Sequence, residues 1–410
     1  MMRKYIILLI LITGFVQLTK AQKEYIFPVT LSDSAQISLL TNQPWDEAVY
    51  SLFGHASMRV KDPVQNFDFA FNFGIFNMSK DNFILLFVKG ETDYMVAAIP
   101  FHYYYLDYQE KGTSIIEQIL NLTQEEKQEI YDAFLINIRP ENREYRYNYF
   151  YDNCATRPRD ILEKYIKGKI NYIPTGKDQS YRDLVHECTK VRSWFEFGVD
   201  LVIGSEADKT INDRQKDFLP EYLMNAYQGA TVRNDSISRE LVLSRSILLE
   251  PAPLSKDIPV KPVHAGILLL IITIAISILT YKKREFKAAH IFDTILFLIA
   301  GIAGFIIFFL MFFSEHPCTY PNWNIIWLNP LQLIAAFLFF AKSLAKYLSY
   351  YHFINFVALL AFLLAWSLIP QQLEIAFIPY ILSIAIRSGM NILQVKKLNK
   401  KADYSLPRAK

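Results

Sequence analysis

The stretch SLFGHASMRVKDPVQNFDFAFNFG, residues 51–74, decides the fold of the first half of the chain. Apolar and polar side chains alternate along Ser51–Lys61 and again along Phe67–Gly74. That alternation marks strands with one face in a core. Asp62-Pro63 opens a turn that runs through Asn66. The spacing predicts a β-hairpin with His55 mid-strand, between the small residues Gly54 and Ala56. Small neighbours leave room for another element to approach the imidazole. A turn centred near residue 64 sets Asn72 roughly opposite Ala56 and Asp68 two rungs nearer the turn. Either can orient the ring: Asn72 is better placed, and Asp68 is the stronger acceptor.

The second informative stretch is YFYDNCATRPRDIL, residues 149–162. Asn153 is placed to cap a helix over Ala155–Ile166, with Pro158 tolerated in its first turn. Cys154 then stands at a helix N-terminus, where the helix dipole and free N–H groups favour thiolate. Arg157 and Arg159 add positive charge. A nucleophilic cysteine needs a base, and His55 is the candidate. The other histidines outside the apolar segments, His102, His186 and His316, read as structural or surface residues. Cys154 and Cys188 are the only pair that could form a disulfide within this half of the chain. Between the two stretches, residues 83–99 read as a helix or strand leading into the strand YMVAAIP, and Thr123 with Glu126 forms a capping box opening a helix over 124–138. Tyr145–Tyr151 is strand-like. This half is mixed α+β.

The 410 residues suffice for two domains. A net charge of +3 without a long basic run argues against nucleic-acid binding. MMRKYIILLILITGFVQLTKAQ has the pattern of a signal peptide over 1–21, with an uncleaved anchor as the alternative; either exports the chain from Gln22 onward. Residues 22–250 form the expected exported domain, and the proline-rich 251–262 a stiff linker. Five apolar segments follow within 263–393, at about 265–281, 292–313, 328–345, 353–370 and 375–393. Each approaches the length of a bilayer span. Lys and Arg fall at 282–287, at Lys342 and Lys346, and in the tail 394–410, whereas 314–327 and 371–374 have neither. The positive-inside rule therefore puts 22–262 outside and the C-terminus in the cytoplasm. Trp323 and Trp327, in the outward loop SEHPCTYPNWNIIWLNP, suit an interfacial anchor or a lipid-positioning site.

A histidine on a hairpin strand, followed by a cysteine opening a later helix, resembles a circularly permuted papain-like fold. LFGHASMRVKDP (52–63), FNFGIF (71–76), LNLTQEEK (120–127), RPENREYRYNYFYDNCATRPRDIL (139–162) and HPCTYPNWNIIWLNPLQLI (316–334) together resemble the Lnb-type lipoprotein N-acyltransferase family of Gram-negative bacteria. The resemblance implies a permuted papain-like periplasmic domain joined to an all-α five-helix membrane domain in the inner membrane. It implies a cysteine-dependent acyltransferase with Cys154 as nucleophile and His55 as base. The donor would be a membrane phospholipid and the acceptor a diacylated lipoprotein. The choice between Asn72 and Asp68 rests on hairpin geometry alone. Asn153, Arg157, Trp323 and Trp327 are the candidate substrate contacts. No metal spacing and no phosphate-cradling glycine loop is present, so no cofactor is expected. A membrane-tethered cysteine amidase acting on cell wall would use the same Cys and His, and an inert assembly platform would need neither.

Overall fold

The hairpin of residues 51–74 forms, but its first strand is entered later than the alternation suggests. Val49–Phe53 is a turn of 3-10 helix, and the strand begins at His55. The Ser51 hydroxyl accepts the Ala48 N–H at 3.1 Å and lies 2.5 Å from the Trp45 carbonyl oxygen, which favours the turn over a strand. Gly54 then redirects the chain with φ 71°, where a Cβ would stand 2.5 Å from the Asn42 carbonyl oxygen. His55 is thus at the head of the strand, next to a loop.

The computed structural model describes residues 25–76, 82–234, 237–283, 287–338 and 345–405. The expected signal segment and the residues after 405 lie outside them. In chain order the first elements are β1 (Gln36–Asn42), β2 (His55–Asp62), β3 (Phe67–Ile75), α1 (Phe83–Lys89), β4 (Asp93–Pro100), α2 (Phe101–Glu110), β5 (Ile115–Leu120), α3 (Gln124–Asn137), β6 (Glu144–Arg146) and α4 (Thr156–Tyr165). Then come β7 (Lys169–Asn171), β8 (Gln179–Ser180), α5 (Tyr181–Thr189), α6 (Ser193–Val202), β9 (Thr210–Ile211), α7 (Asp213–Lys216), α8 (Pro220–Gln228), β10 (Thr231–Asn234), β11 (Ile237–Glu240) and β12 (Val242–Leu249).

An antiparallel seven-stranded sheet in the order β12-β5-β1-β2-β3-β4-β6 is the frame. Its apolar face, including Met58, Val60, Phe69, Phe71 and Phe73, packs on Ile130, Tyr131 and Phe134 of α3 and on Leu162 of α4. The capping box at Thr123 is present, with the Glu126 N–H donating to the Thr123 hydroxyl at 3.2 Å and the Thr123 N–H to the Glu126 carboxylate at 2.7 Å. The aromatic run Tyr145–Tyr151 is not a strand. Only Glu144–Arg146 pairs with the sheet, because the Asn148 carboxamide oxygen takes the N–H groups of Phe150 and Tyr151 and turns the chain.

The C-terminal half is helical: α9 (Pro262–Lys283), α10 (Lys287–Phe313), α11 (Leu331–Leu338), α12 (Ala345–Leu364) and α13 (Ile378–Ser405). Among the described residues, four helices are long and apolar enough to cross a membrane. The third expected segment is helical over Leu331–Leu338, and part of its remainder lies outside the described residues. The fourth begins at Ala345 and ends at Leu364, earlier at both ends than expected, and a 3-10 turn at Trp366–Leu368 follows. Inside the bundle the Arg387 guanidinium meets the Asp293 carboxylate at 2.5 and 2.9 Å and donates to the Ser277 hydroxyl at 2.9 Å. Both partners of this ion pair are fully buried, which ties α9, α10 and α13 together.

The two halves are bonded to each other rather than merely tethered. Asn322 and Asn324, between α10 and α11, donate to the carbonyls of Leu201 at 2.8 Å and Asp200 at 2.9 Å. The Gly204 and Ser205 N–H groups donate back to the carbonyls of Cys318 and Pro321, at 2.7 and 2.8 Å. Gln371, between α12 and α13, donates to the Ile203 carbonyl at 3.2 Å. Underneath, the buried Arg182 bonds the Asp200 and Asp208 carboxylates at 2.6 Å each and holds the carbonyls of Ile203 and Gly204. The linker is fastened too, with the Trp194 indole donating to the Val260 carbonyl at 2.8 Å.

Arg182→Met removes the guanidinium that Asp200 and Asp208 share, a change that costs about 3–5 kcal/mol when the charge left behind is buried. Arg146→Ala, at an exposed ion pair with Asp93 and Glu315, costs about 1 kcal/mol or less. Thermal unfolding in detergent should show a clear fall in Tm for the first variant and almost none for the second.

Candidate functional site

The site is assembled at the head of β2. In the hairpin register Asn72 faces Ser57, so Asn72 and His55 sit diagonally on one face of the sheet. His55 Nε2 is 2.6 Å from Asn72 Oδ1. A carboxamide oxygen only accepts, so Nε2 carries the proton and Nδ1 keeps a lone pair. The Ser57 hydroxyl donates to the same oxygen at 3.3 Å, and the Tyr108 ring stacks on the imidazole with 6.0 Å between centroids. Asp68 shares this face but lies nearer the hairpin turn, opposite Lys61, where Arg59 takes both its oxygens at 2.8 and 2.6 Å. Asn72, not Asp68, is the residue on His55. The buried Arg59 guanidinium, which also bonds Glu117 at 3.1 Å, requires the aspartate.

Cys154 is buried immediately before α4. The backbone N–H of Ala56, the hydroxyl of Tyr147 and the N–H groups at the start of the helix lie close enough to its sulfur to favour a charge there. The first of these seats the sulfur at the head of β2, one residue from His55. Asn153 fixes the position. Its Oδ1 accepts the N–H groups of Ala155 at 2.8 Å and Thr156 at 3.0 Å, and its Nδ2 donates to the carbonyls of Tyr149 and Phe218 at 2.8 Å each. This is the expected cap, and it uses every hydrogen-bonding capacity of the carboxamide, leaving none for a substrate. All three cysteines are free.

The electrostatics differ from the expectation of a thiolate. Burial pushes the Cys154 thiol up to about 11, despite the donors around the sulfur. Burial likewise draws His55 down to about 4, against the hydrogen bond that its ring donates to Asn72. The arginines do not help. Arg157 is held by Asp152 at 2.6 and 2.8 Å and lies over the Tyr145 ring at 3.6 Å. Arg159 is held by Asp160 at 2.9 and 2.8 Å and by the Arg214 carbonyl at 2.7 Å. Burial therefore favours the neutral form of both groups, a thiol near the Ala56 N–H and an imidazole on the preceding residue.

Two residues of the site escaped the sequence reading. Gly74 has φ 89° where the β3–β4 register shifts between Phe73 and Ile75, and its missing Cβ would lie 3.6 Å from that of Cys154. This is a glycine bulge that bends the strand around the sulfur, and a glycine closing an aromatic strand was its signal. The Tyr145 hydroxyl is buried and has no hydrogen-bond partner among the described residues. It would lie 4.0 Å from a Cβ on Gly74, on the same side as Cys154. Nothing in its aromatic-rich surroundings marked Tyr145 out in the sequence.

Trp327 and Trp323 are not beside the sulfur. Trp327 is buried in the membrane half, its indole donating to Asn324 at 2.9 Å and its ring 5.4 Å from Phe377. The Trp323 N–H donates to Gln371 at 2.8 Å, so both belong to the junction between the halves. His186 pairs with Asp200 at 2.9 Å, and His316 bonds the Phe87 carbonyl at 2.6 Å. Among the described residues no cluster of metal-ligating side chains gathers.

The chain matches two family models: the Lnb N-terminal periplasmic domain over residues 22–187 and the Lnb transmembrane domain over residues 254–399. No curated protein and no solved structure matches it.

A neutral thiol near 11 gives a direct expectation for reactivity. Alkylation of Cys154 by iodoacetamide should be slow at neutral pH and rise about tenfold per pH unit into the alkaline range, following the thiolate fraction. A fast, pH-independent rate would show a resting ion pair instead.

Proposed function

The chain belongs to the Lnb family, and from that premise we propose that it is a lipoprotein N-acyltransferase of the inner membrane that works through a thioester on Cys154. The observation that carries this reading is that Cys154 lies near the Ala56 N–H, one residue along the chain from the Asn72-oriented His55, in a domain bonded to the outward loops of membrane helices. The order of histidine strand and later cysteine helix supports a permuted papain-like arrangement of the exported domain.

In the first half-reaction His55 Nδ1 takes the thiol proton as the sulfur attacks an ester carbonyl of a phospholipid. A carbon–sulfur bond forms, the ester carbon–oxygen bond breaks, and the imidazolium returns the proton to the departing lysophospholipid oxygen. In the second, the α-amine of a diacylated lipoprotein cysteine attacks the thioester. A carbon–nitrogen bond forms, the carbon–sulfur bond breaks, and the amine proton passes through His55 back to sulfur. Because both resting partners are neutral, charge separates only as the bond to carbon forms, which places the burden on donors for the oxyanion. The Cys154 N–H and the Tyr147 hydroxyl lie at the sulfur, and the unpartnered Tyr145 hydroxyl is a third donor. Arg157 acts as a prop, holding the Tyr145 ring from one face while Asp152 neutralises its charge.

An amidase acting on cell wall would use the same pair, but it has no need of a domain held rigidly on membrane loops. The test is mass spectrometry of lipoprotein N-termini from cells that lack the protein and are rescued by wild type or Cys154→Ser. Wild type should restore the N-terminal acyl chain and Cys154→Ser should not; rescue by the serine variant would sink the thioester. Tyr145→Phe should lower turnover by about 10²–10³-fold, the usual loss for one oxyanion donor, with KM little changed.

A further inference from the structure

A buried nucleophile in a water-exposed domain poses a transport problem if its acyl donor is anchored in a bilayer. The helix α1, sequence FILLFVK, bears on this. None of its residues is buried, and Ile84, Leu85 and Phe87 are 78%, 53% and 49% exposed. Seven residues, mostly apolar, with no buried face do not stabilise a surface helix in water.

Its position supplies the missing partner. The Lys89 carbonyl at the end of α1 accepts the Glu315 N–H at 2.7 Å, and His316 bonds the Phe87 carbonyl at 2.6 Å. Glu315 is two residues past the end of the membrane-crossing α10, whose last residues, Phe312 and Phe313, are themselves exposed apolar side chains. The α1 surface therefore continues the lipid-facing surface of α10 at the outer boundary of the hydrocarbon.

From α1 a line of half-buried rings leads to the sulfur. Phe87 stacks on Phe83 at 6.1 Å, Phe83 on Phe76 at 6.0 Å, Phe76 on Tyr94 at 5.1 Å and Tyr94 on Tyr147 at 4.2 Å. The Tyr147 side chain ends the line near the Cys154 sulfur, and it lies 3.4 Å from a Cβ on Gly74, where the Cys154 Cβ would be at 3.6 Å. Core aromatics are fully covered; these keep part of their surface open. An apolar wall of this kind favours an acyl chain over water.

We infer that α1 seats in the outer leaflet of the bilayer and that the rings of Phe83, Phe76, Tyr94 and Tyr147 form a track along which a lipid acyl chain reaches Cys154. The occupant of α1 is the lipid surface itself. The track rests on the acyltransferase reading; the seating of α1 does not.

Two measurements separate them. First, Cys154→Ser protein in nanodiscs holding a phospholipid with a diazirine near its glycerol backbone is photolysed and digested. Crosslinks should appear on the peptide carrying residues 82–89 as well as on the membrane helices. Labelled membrane helices with an unlabelled α1 peptide would overturn the seating, whatever the enzyme does. Second, acylation of Cys154 is compared between phosphatidylethanolamine vesicles and water-soluble p-nitrophenyl butyrate. The ratio of vesicle rate to soluble-ester rate should fall at least tenfold in the double variant Ile84→Glu/Leu85→Glu and in Phe76→Ala. An unchanged ratio in Phe76→Ala would overturn the track. Wild-type protein that reacts with the soluble ester but never with vesicles would overturn the track together with the acyltransferase reading, while leaving the crosslinking result to stand.

Discussion

Four hydrogen bonds from one carboxamide hold the site together. Asn153 joins the start of α4 to the loop carbonyl of Tyr149 and to the carbonyl of Phe218 ahead of α8. Because every donor and acceptor of the buried side chain is used, the following residue has a single place to go. That place is against the Ala56 N–H and the bulge at Gly74. The cap thus places the sulfur near the strand that carries His55, whose ring Asn72 holds.

The same burial that fixes the geometry sets the chemistry. Taking a thiol and an imidazole out of water favours the neutral form of each. A pair poised as thiol and neutral base resists adventitious oxidation and alkylation, since the thiolate is the reactive form. On the proposed mechanism, the nucleophile develops only when an acyl carbonyl is present to receive it. This shifts weight from a preformed anion to the surrounding dipoles, and it gives a reason for a buried Tyr145 hydroxyl that has no hydrogen-bond partner among the described residues. The fastening of the exported domain to the loops around Asn322, Asn324 and Gln371 has a related logic. It holds an enclosed site at a fixed height above the membrane helices.

Much of this frame was legible in the sequence because it follows short-range rules. The hairpin, the Thr123 capping box and the Asn153 cap depend on residues within a few positions of one another. What was not legible depends on long-range contacts. The choice of Asn72 over Asp68 was settled by Arg59, which needs Asp68 and Glu117 to be buried at all. The Cys154 thiol was expected to be acidified by Arg157 and Arg159, but those cations are matched by Asp152 and Asp160. Charge in a sequence gives no sign of which neighbour will neutralise it. Trp323 and Trp327 had the composition of an interfacial belt, yet they pack into the junction, because the outward loop folds back onto α6 rather than lying on the lipid. The aromatic run at 145–151 looked like a strand from its side chains, while Asn148 turned its backbone.

The central claim is that Cys154, and no other group, carries the acyl chain. Purified protein incubated with phospholipid vesicles lacking any lipoprotein acceptor should accumulate one acyl chain by intact mass. After digestion the added mass should sit on the peptide containing Cys154 and be removed by neutral hydroxylamine, as a thioester is. An acyl chain found on Cys188, Cys318 or a hydroxyl side chain, with Cys154 unmodified, would contradict the account.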